Sequence, residues 1–498
     1  MNTNVSQLVI GMKDTANVNL RSKAIFGMLW SAIQKYSTIF ISFVSGIILA
    51  RLLNPEDYGC IGMLSIFMSL AEICIDAGFG SALIQKKNPT QTDYSTVFYF
   101  NLGMSSILYL TLFFTAPAIA RFYRMPLLSS VLRVQGIILF IYALNIIQQN
   151  QLKKNLNFKK ISIVTIITSV ISLIVTILMA YKGYGVWALV AQNIITALIP
   201  MLVFWITNKW RPSWNFSWDS FRDLFSFGGF MFLSSILNTI SSKISGLFIG
   251  RIYNPSVMGF YSKASSTEDL ASRSVAGIIS QVVYPLYSAV QDDKERLISV
   301  LKRVTAAISY VTTPMMVILL LVAKPLFVLL YSDKWLPCVP YFQLLCLAGV
   351  AVCLQSVNNQ TLAAIGKSRI MFRWTIIKRS VGIVALIIGI SVWGIYGLLV
   401  AVVFDNWFTL FVNMANVSKY VGYGFKEQIL SIIPTFATAL IGYAVAYFGV
   451  NAFHLGMYAD GAAKFLVFAI IYVSWSLLRK PDAFTYFLSL VQSLKIKK

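Results

Sequence analysis

The chain has 498 residues, 57% of them hydrophobic and only 12% charged, with a formal net charge of +23. A soluble domain carries about 25% charged and roughly 45–50% apolar residues, so an ordinary soluble domain is excluded. The basic excess does not interleave with aromatic residues as it would on an RNA- or DNA-binding surface, and no nucleic-acid partner is expected.

The first 23 residues are polar and include Lys13, Arg21 and Lys23, so they read as a cytoplasmic arm and not as a cleavable signal. Apolar runs then follow one another, each long enough to cross about 30 Å of hydrocarbon. About fourteen are expected, near 24–50, 60–83, 96–120, 127–150, 160–182, 184–206, 224–250, 258–283, 304–323, 335–357, 370–392, 395–417, 428–450 and 461–478. Those at 258–283 and 370–392 carry several charges and are the least apolar. Lysines and arginines collect on one set of connections: Lys86, Lys87, Lys153, Lys154, Lys159, Lys160, Lys209, Arg211, Arg222, Lys302, Arg303, Lys367, Arg369, Lys419 and Lys426, and Lys495, Lys497 and Lys498 of the tail. The other set holds few, among them Arg51, Arg121, Arg124, Arg251 and Lys324. This positive-inside bias puts both termini in the cytoplasm.

A duplicated phrase divides the chain. "SGIILARLLNPEDYG" (45–59) returns as "SGLFIGRIYNPSVMG" (245–259). In each copy Asn-Pro and the following Gly are expected to form a tight turn into the next span. Two six-helix bundles follow, 24–206 and 224–418, joined by a Trp-rich interfacial linker at 207–223; two additional spans (419–478) and a basic tail (479–498) complete the chain. Six spans per half give both halves the same orientation, related by a pseudo-two-fold axis along the membrane normal. The expected fold is therefore an all-α integral membrane protein.

Polar residues recur at helical spacing inside the spans. The first span carries Lys35, Thr38, Ser42 and Ser45, and its counterpart Ser235, Asn238, Ser242 and Ser245. The second carries Ser65, Ser69, Glu72 and Asp76, and its counterpart Ser265, Asp269, Ser272 and Ala276. Serines alone suit helix–helix packing, but intramembrane charges usually line a wet cavity. The first and seventh spans are thus expected to turn their stripes toward a central chamber. The cysteines, Cys60, Cys74, Cys338, Cys346 and Cys353, lack metal-ligand spacing and read as small buried groups; no cofactor or metal is expected.

The stretches "ARLLNPEDYGCIGM", "DAGFGSALIQKK", "TVFYFNLG" and "APAIARFY" resemble polysaccharide transporters of the multidrug/oligosaccharidyl-lipid/polysaccharide flippase superfamily, which also holds the MATE transporters. The resemblance is to the WzxC-like branch, with its colanic acid and teichuronic acid exporters. It implies export of undecaprenyl-pyrophosphate-linked oligosaccharide repeat units across a bacterial cytoplasmic membrane by alternating access. Such a head group needs a polar, partly cationic chamber. Lys35 and Lys243 are the first candidates to hold pyrophosphate, followed by Lys263, Arg273 and Arg373. Arg273 has an alternative partner in Asp269, one turn earlier, and Arg373, Lys378 and Arg379 can instead snorkel to lipid headgroups. Gln34, Thr38, Ser42, Asn238 and Ser242 suit sugar hydroxyls. Glu72, Asp76 and Asp405 are able to carry a proton or coordinate sodium, or simply to neutralise neighbouring cations.

An enzyme is not expected. "IGKS" at 365–368 mimics the end of a P-loop, but Thr361 stands where its first Gly belongs. The single histidine, His454, has no catalytic or metal-binding companions. The alternative function is a drug or cation exporter of the same superfamily, which would favour an acidic or apolar chamber. A monomer is expected, since each chain already contains both bundles.

Overall fold

The computed structural model describes residues 3–482 and 484–486, so most of the expected basic tail lies outside the described residues. The described chain is helical from end to end. The first eight helices are α1 (Thr3–Leu52), α2 (Pro55–Asp76), α3 (Phe79–Gln85), α4 (Gln91–Phe122), α5 (Leu127–Gln135), α6 (Ile138–Lys154), α7 (Phe158–Tyr181) and α8 (Val186–Thr207). After them come α9 (Trp218–Ile252), α10 (Pro255–Ala289), α11 (Lys294–Leu321), α12 (Ala323–Tyr331), α13 (Cys338–Ala364), α14 (Ser368–Val421), α15 (Phe425–Asn451) and α16 (Met457–Arg479). By compactness the chain divides into two units, Met1–Met258 and Gly259–Lys498.

Among the described residues, twelve spans are long and apolar enough to cross a membrane. One of them, Ile370–Val421, is interrupted by non-helical backbone at Trp393 and Gly394, with φ +61° at Gly394. Its two arms match the separate spans expected at 370–392 and 395–417. The remaining expected span, 258–283, lies in α10, where Lys263, Glu268, Asp269 and Arg273 make the helix too charged for that count.

The duplicated phrase acts as a helix break. Pro55 and Pro255 each occupy the first turn of a helix, where a missing N–H costs nothing. The Asp57 carboxylate accepts the Asn54 N–H at 2.9 Å, and Asn254 Oδ1 accepts the Val257 N–H at 2.9 Å. Gly59 and Gly259 are not in these turns. They lie one helical turn inside α2 and α10, so Asn-Pro alone makes the bend.

In the first unit α1 packs on α7, α7 and α6 on α8, and α9 on α2 and α3. Leu49, Leu53, Ala180, Ala188 and Leu189 form one apolar seam of this packing. The expected linker is pinned to the start of α4: the Trp210 indole N–H donates to Gln91 Oε1 at 2.7 Å, and the Ser217 N–H donates to Thr96 Oγ1 at 3.1 Å. Trp214 and Trp218 remain exposed, as interfacial tryptophans do. In the second unit α13 packs on α11 and α14, and α15 on α11 and α16. Tyr310 of α11 donates to Ser476 Oγ at 2.7 Å, tying α16 to this unit.

Candidate transport site

Three turns of α2 place Ser65, Ser69 and Glu72 on one face, and that face lines a cavity of about 360 Å³ inside the first unit. Gln135 of α5, Tyr142 of α6, and Asn193 and Thr196 of α8 supply the other polar walls. The Ser65 hydroxyl donates back to Gly62 O at 2.7 Å and Thr196 to Gln192 O at 2.9 Å. With the Ser65 and Thr196 hydrogens spent along their own helices, the carboxylate, the amides and the Ser69 and Tyr142 hydroxyls are the groups left to meet a solute. Lys243 of α9 stands close enough for its charge to act on Glu72. Among the described residues, no lysine or arginine is in the lining. A chamber with one acid, amides and hydroxyls can solvate sugar hydroxyls or a cation; alone it cannot grip pyrophosphate.

Asp76, one turn past Glu72, has a structural partner. Ala77 and Gly78 adopt positive φ (+45° and +79°) and end α2, and Asp76 Oδ1 accepts the Gly80 N–H at 3.1 Å to start α3. The expected 60–83 span is therefore two helices. Gly78 sits directly against the backbone of Gly228 on α9, and a Cβ there would collide with the Gly228 carbonyl. At the end of this segment Lys86 reaches Asp93 at 3.1 Å and Asp223 at 2.9 Å. The bond to Asp223 is the chief reason that the Lys86 ammonium is held above its ordinary range, against a smaller opposing effect of burial. Lys154 caps α3 by donating to Leu83 O at 3.0 Å. These two lysines thus tie helix ends together.

The expected sugar-binding stripe on α1 is divided. Gln34 Oε1 accepts from Ser162 of α7 at 3.3 Å, Thr38 donates to Gln34 O at 2.9 Å, and the buried Ser45 accepts from Gln192 of α8 at 3.2 Å. Gln34 and Ser45 join α1 to its neighbours, while Thr38 bonds back along α1 itself. Lys35 is half-buried and Ser42 exposed. On α9, Asn238, Ser242 and Lys243 are all exposed, and Ser242 donates to Thr239 O at 3.1 Å. The structure brings Lys243 to Glu72, whereas the helix of Lys35 has α7 as its main neighbour.

In the second unit Lys263 is 5% exposed, with its ammonium 4.1 Å from the Tyr331 ring centroid and 5.7 Å from that of Trp335. This aromatic cage holds the cation away from any open chamber. Arg273 pairs with Asp269, and Arg373 is exposed. Asp405 lies 3.7 Å from Arg379, in space left by Gly382. Lys378, 7% exposed, donates to Asn413 Oδ1 at 2.8 Å. Asp405 and its cations form a network joining the two arms of α14.

Sequence reasoning missed the cavity residues Gln135, Tyr142, Asn193 and Thr196, and the buried acid Glu268. Asn193 and Thr196 stand three residues apart in an apolar run, the one local signal available. Glu268 carries no spacing signal of its own beside Asp269, whose four-residue step to Arg273 already makes a pair.

The chain is similar to the teichuronic acid biosynthesis protein TuaB of Bacillus subtilis (strain 168), 23% identical over 450 residues that cover 87% of this chain and 90% of that protein. It is similar to the lipopolysaccharide biosynthesis protein WzxC of Escherichia coli (strain K12), 24% identical over 439 residues, 86% of this chain and 88% of that one. The succinoglycan biosynthesis transport protein ExoT of Rhizobium meliloti (strain 1021) is 26% identical over 351 residues, 70% of this chain and 71% of its own. Among solved structures, the lipid II flippase MurJ in an inward closed conformation superposes with a TM-score of 0.74 at 16% identity, over 91% of this chain and 99% of that one. An inward-facing multidrug resistance MATE family transporter of the MOP superfamily gives 0.61 at 16% identity, over 83% and 99%. These two likenesses show a shared fold. With a family model matching residues 48–340, more than half of its length, the chain belongs to the polysaccharide biosynthesis protein family.

Proposed function

We propose that this multi-pass membrane protein is a flippase. It moves undecaprenyl-pyrophosphate-linked oligosaccharide repeat units of a cell-surface polysaccharide from the inner to the outer leaflet of a bacterial cytoplasmic membrane by alternating access. The observation that carries the reading is a polar cavity inside a helical unit of a chain in this family, since hydrocarbon-facing helices have no use for one. The names of the relatives, all of polysaccharide biosynthesis, point the same way. The chain is a transporter and not an enzyme.

Lys35 and Lys243 hold the pyrophosphate, because among the described residues neither is locked in an ion pair or an aromatic cage. Arg373 is next; Lys263 and Arg273 already have partners. Ser42, Asn238 and Ser242, with the cavity amides, meet sugar hydroxyls, while Gln34 and Thr38 mainly position α1. Coupling to H⁺ or Na⁺, where it uses the expected acids, runs through Glu72 before Asp76 or Asp405. The protein works as a monomer with both termini in the cytoplasm.

Deleting the gene should trap lipid-linked oligosaccharide in the cytoplasmic leaflet. Lys35→Ala and Lys243→Ala variants at normal membrane levels should each reduce surface glycan at least tenfold. Normal export by both would remove the lysine clamp while leaving the flippase reading to the deletion. The acidic lining of the first-unit cavity favours one second reading, a cation exporter. Unchanged glycan with altered tolerance to cationic drugs would select it.

A further inference from the structure

Glu268 is a buried acid with no task in the account above. On α10 its side chain is 7% exposed, and Oε1 has no hydrogen-bond partner among the described residues. The Ser272 hydroxyl, one turn further along the helix, stands beside this carboxyl and is the one hydroxyl near enough to hydrogen-bond it among the described residues. From α13, Gly349 faces the carboxyl, and a Cβ at that position would collide with Oε1. From α11, the Met316 thioether closes the same pocket around Gly349. The titratable groups near enough to act on Glu268 are Asp269 and Arg273 of its own helix and Cys346 and Cys353 of α13. Arg273 is committed to Asp269, and its side chain is 67% exposed.

Two occupants could satisfy such a carboxyl. A hard cation needs a shell of several oxygens, and the side chains placed near this carboxyl among the described residues are one hydroxyl, two thiols, a thioether and the Asp269–Arg273 pair. A proton needs only the carboxyl itself, and a carboxyl buried without a counter-charge takes one up in preference to carrying its charge. We propose that Glu268 is a proton-binding site of the second unit, protonated in the conformation seen and emptied to water when α10 moves and exposes it. The O–H bond breaks, the proton goes to a water molecule, and the carboxylate remains. Because exposed and buried states then differ in proton affinity, pH shifts the balance between them. This deepens the transport reading and rests on it only for what the cycle drives.

The test uses the purified full chain and dicyclohexylcarbodiimide, a reagent for protonated carboxyls in apolar surroundings, with adducts located by peptide mass spectrometry. An adduct on Glu268 is expected, falling several-fold from mildly acidic to alkaline pH and indifferent to Na⁺ at constant ionic strength. Infrared difference spectra should show a carboxylic-acid C=O band that a folded Glu268→Gln variant loses. Protection of Glu268 by Na⁺ would overturn the proposal in favour of a sodium site. Absence of both the adduct and the band would overturn it outright. Neither failure touches the gene-deletion result, and a failure of glycan export to depend on this gene would leave the labelling result standing.

Discussion

Glu72 and Asp76 are one turn apart on α2, and the fold gives them different work. Asp76 accepts a backbone N–H at the start of α3, where loss of a capping acceptor typically costs about 1 kcal/mol. Glu72 lines the cavity beside Ser65 and Ser69. Asp76→Ala should therefore lower the thermal midpoint of the detergent-solubilised protein, with export falling only in step with the amount folded. Glu72→Gln keeps the shape of the side chain and should leave the midpoint unchanged while altering export several-fold. The reverse pattern, an unstable Glu72→Gln and a stable, inactive Asp76→Ala, would exchange their roles.

At the scale of elements, the decisive contact is the one between Gly78 and Gly228. Gly78 has φ +79° and lies against a helix backbone, so both its conformation and its surroundings exclude a side chain. Gly78→Ala should cost at least about 1–3 kcal/mol in strain alone, seen as loss of the monodisperse peak in fluorescence-detected size exclusion. An unchanged profile would mean that α9 does not seat on this bend. The break at Gly78 was not legible in the sequence, because it falls inside a continuous apolar run whose hydropathy is blind to φ. The breaks at Asn54-Pro55 and Asn254-Pro255 were legible, because proline states its own geometry. The α2 face of the cavity was legible through its 3.6-residue period. Its other walls were not, because Asn193 or Gln135 in an apolar helix looks the same whether it meets a neighbour or a solute. Glu268 and Asp269 differ by about 100° around the helix, and only the position of α13 decides which of them is buried.

For the molecule as a whole, the proposed orientation is open to a direct test. The two copies of the duplicated phrase come together in the first unit, where Ser256 Oγ lies 3.2 Å from Glu56 Oε1. They share one side of the membrane, and the cytoplasmic termini proposed from the positive-inside bias would make that side the outer one. In a chain with Cys60, Cys74, Cys338, Cys346 and Cys353 replaced, Glu56→Cys and Ser256→Cys should each react with an impermeant thiol reagent in intact cells. Together they should form a disulfide on mild oxidation. Reaction at one site only would break the shared-side topology.

The turn at Trp393–Gly394 bears on how the protein is made. Around it the arms 368–392 and 395–421 approach so closely that a Cβ at Gly389 or Gly397 would strike the carbonyl of the other. The stretch "ISVWGIYG" between them holds no charge, so it gives the insertion machinery no cue at which to stop. A ribosome that had delivered only the first arm would leave glycine-lined backbone and the Lys378 ammonium facing lipid without their partners. Both requirements are met when the pair enters the bilayer as a ready-made hairpin.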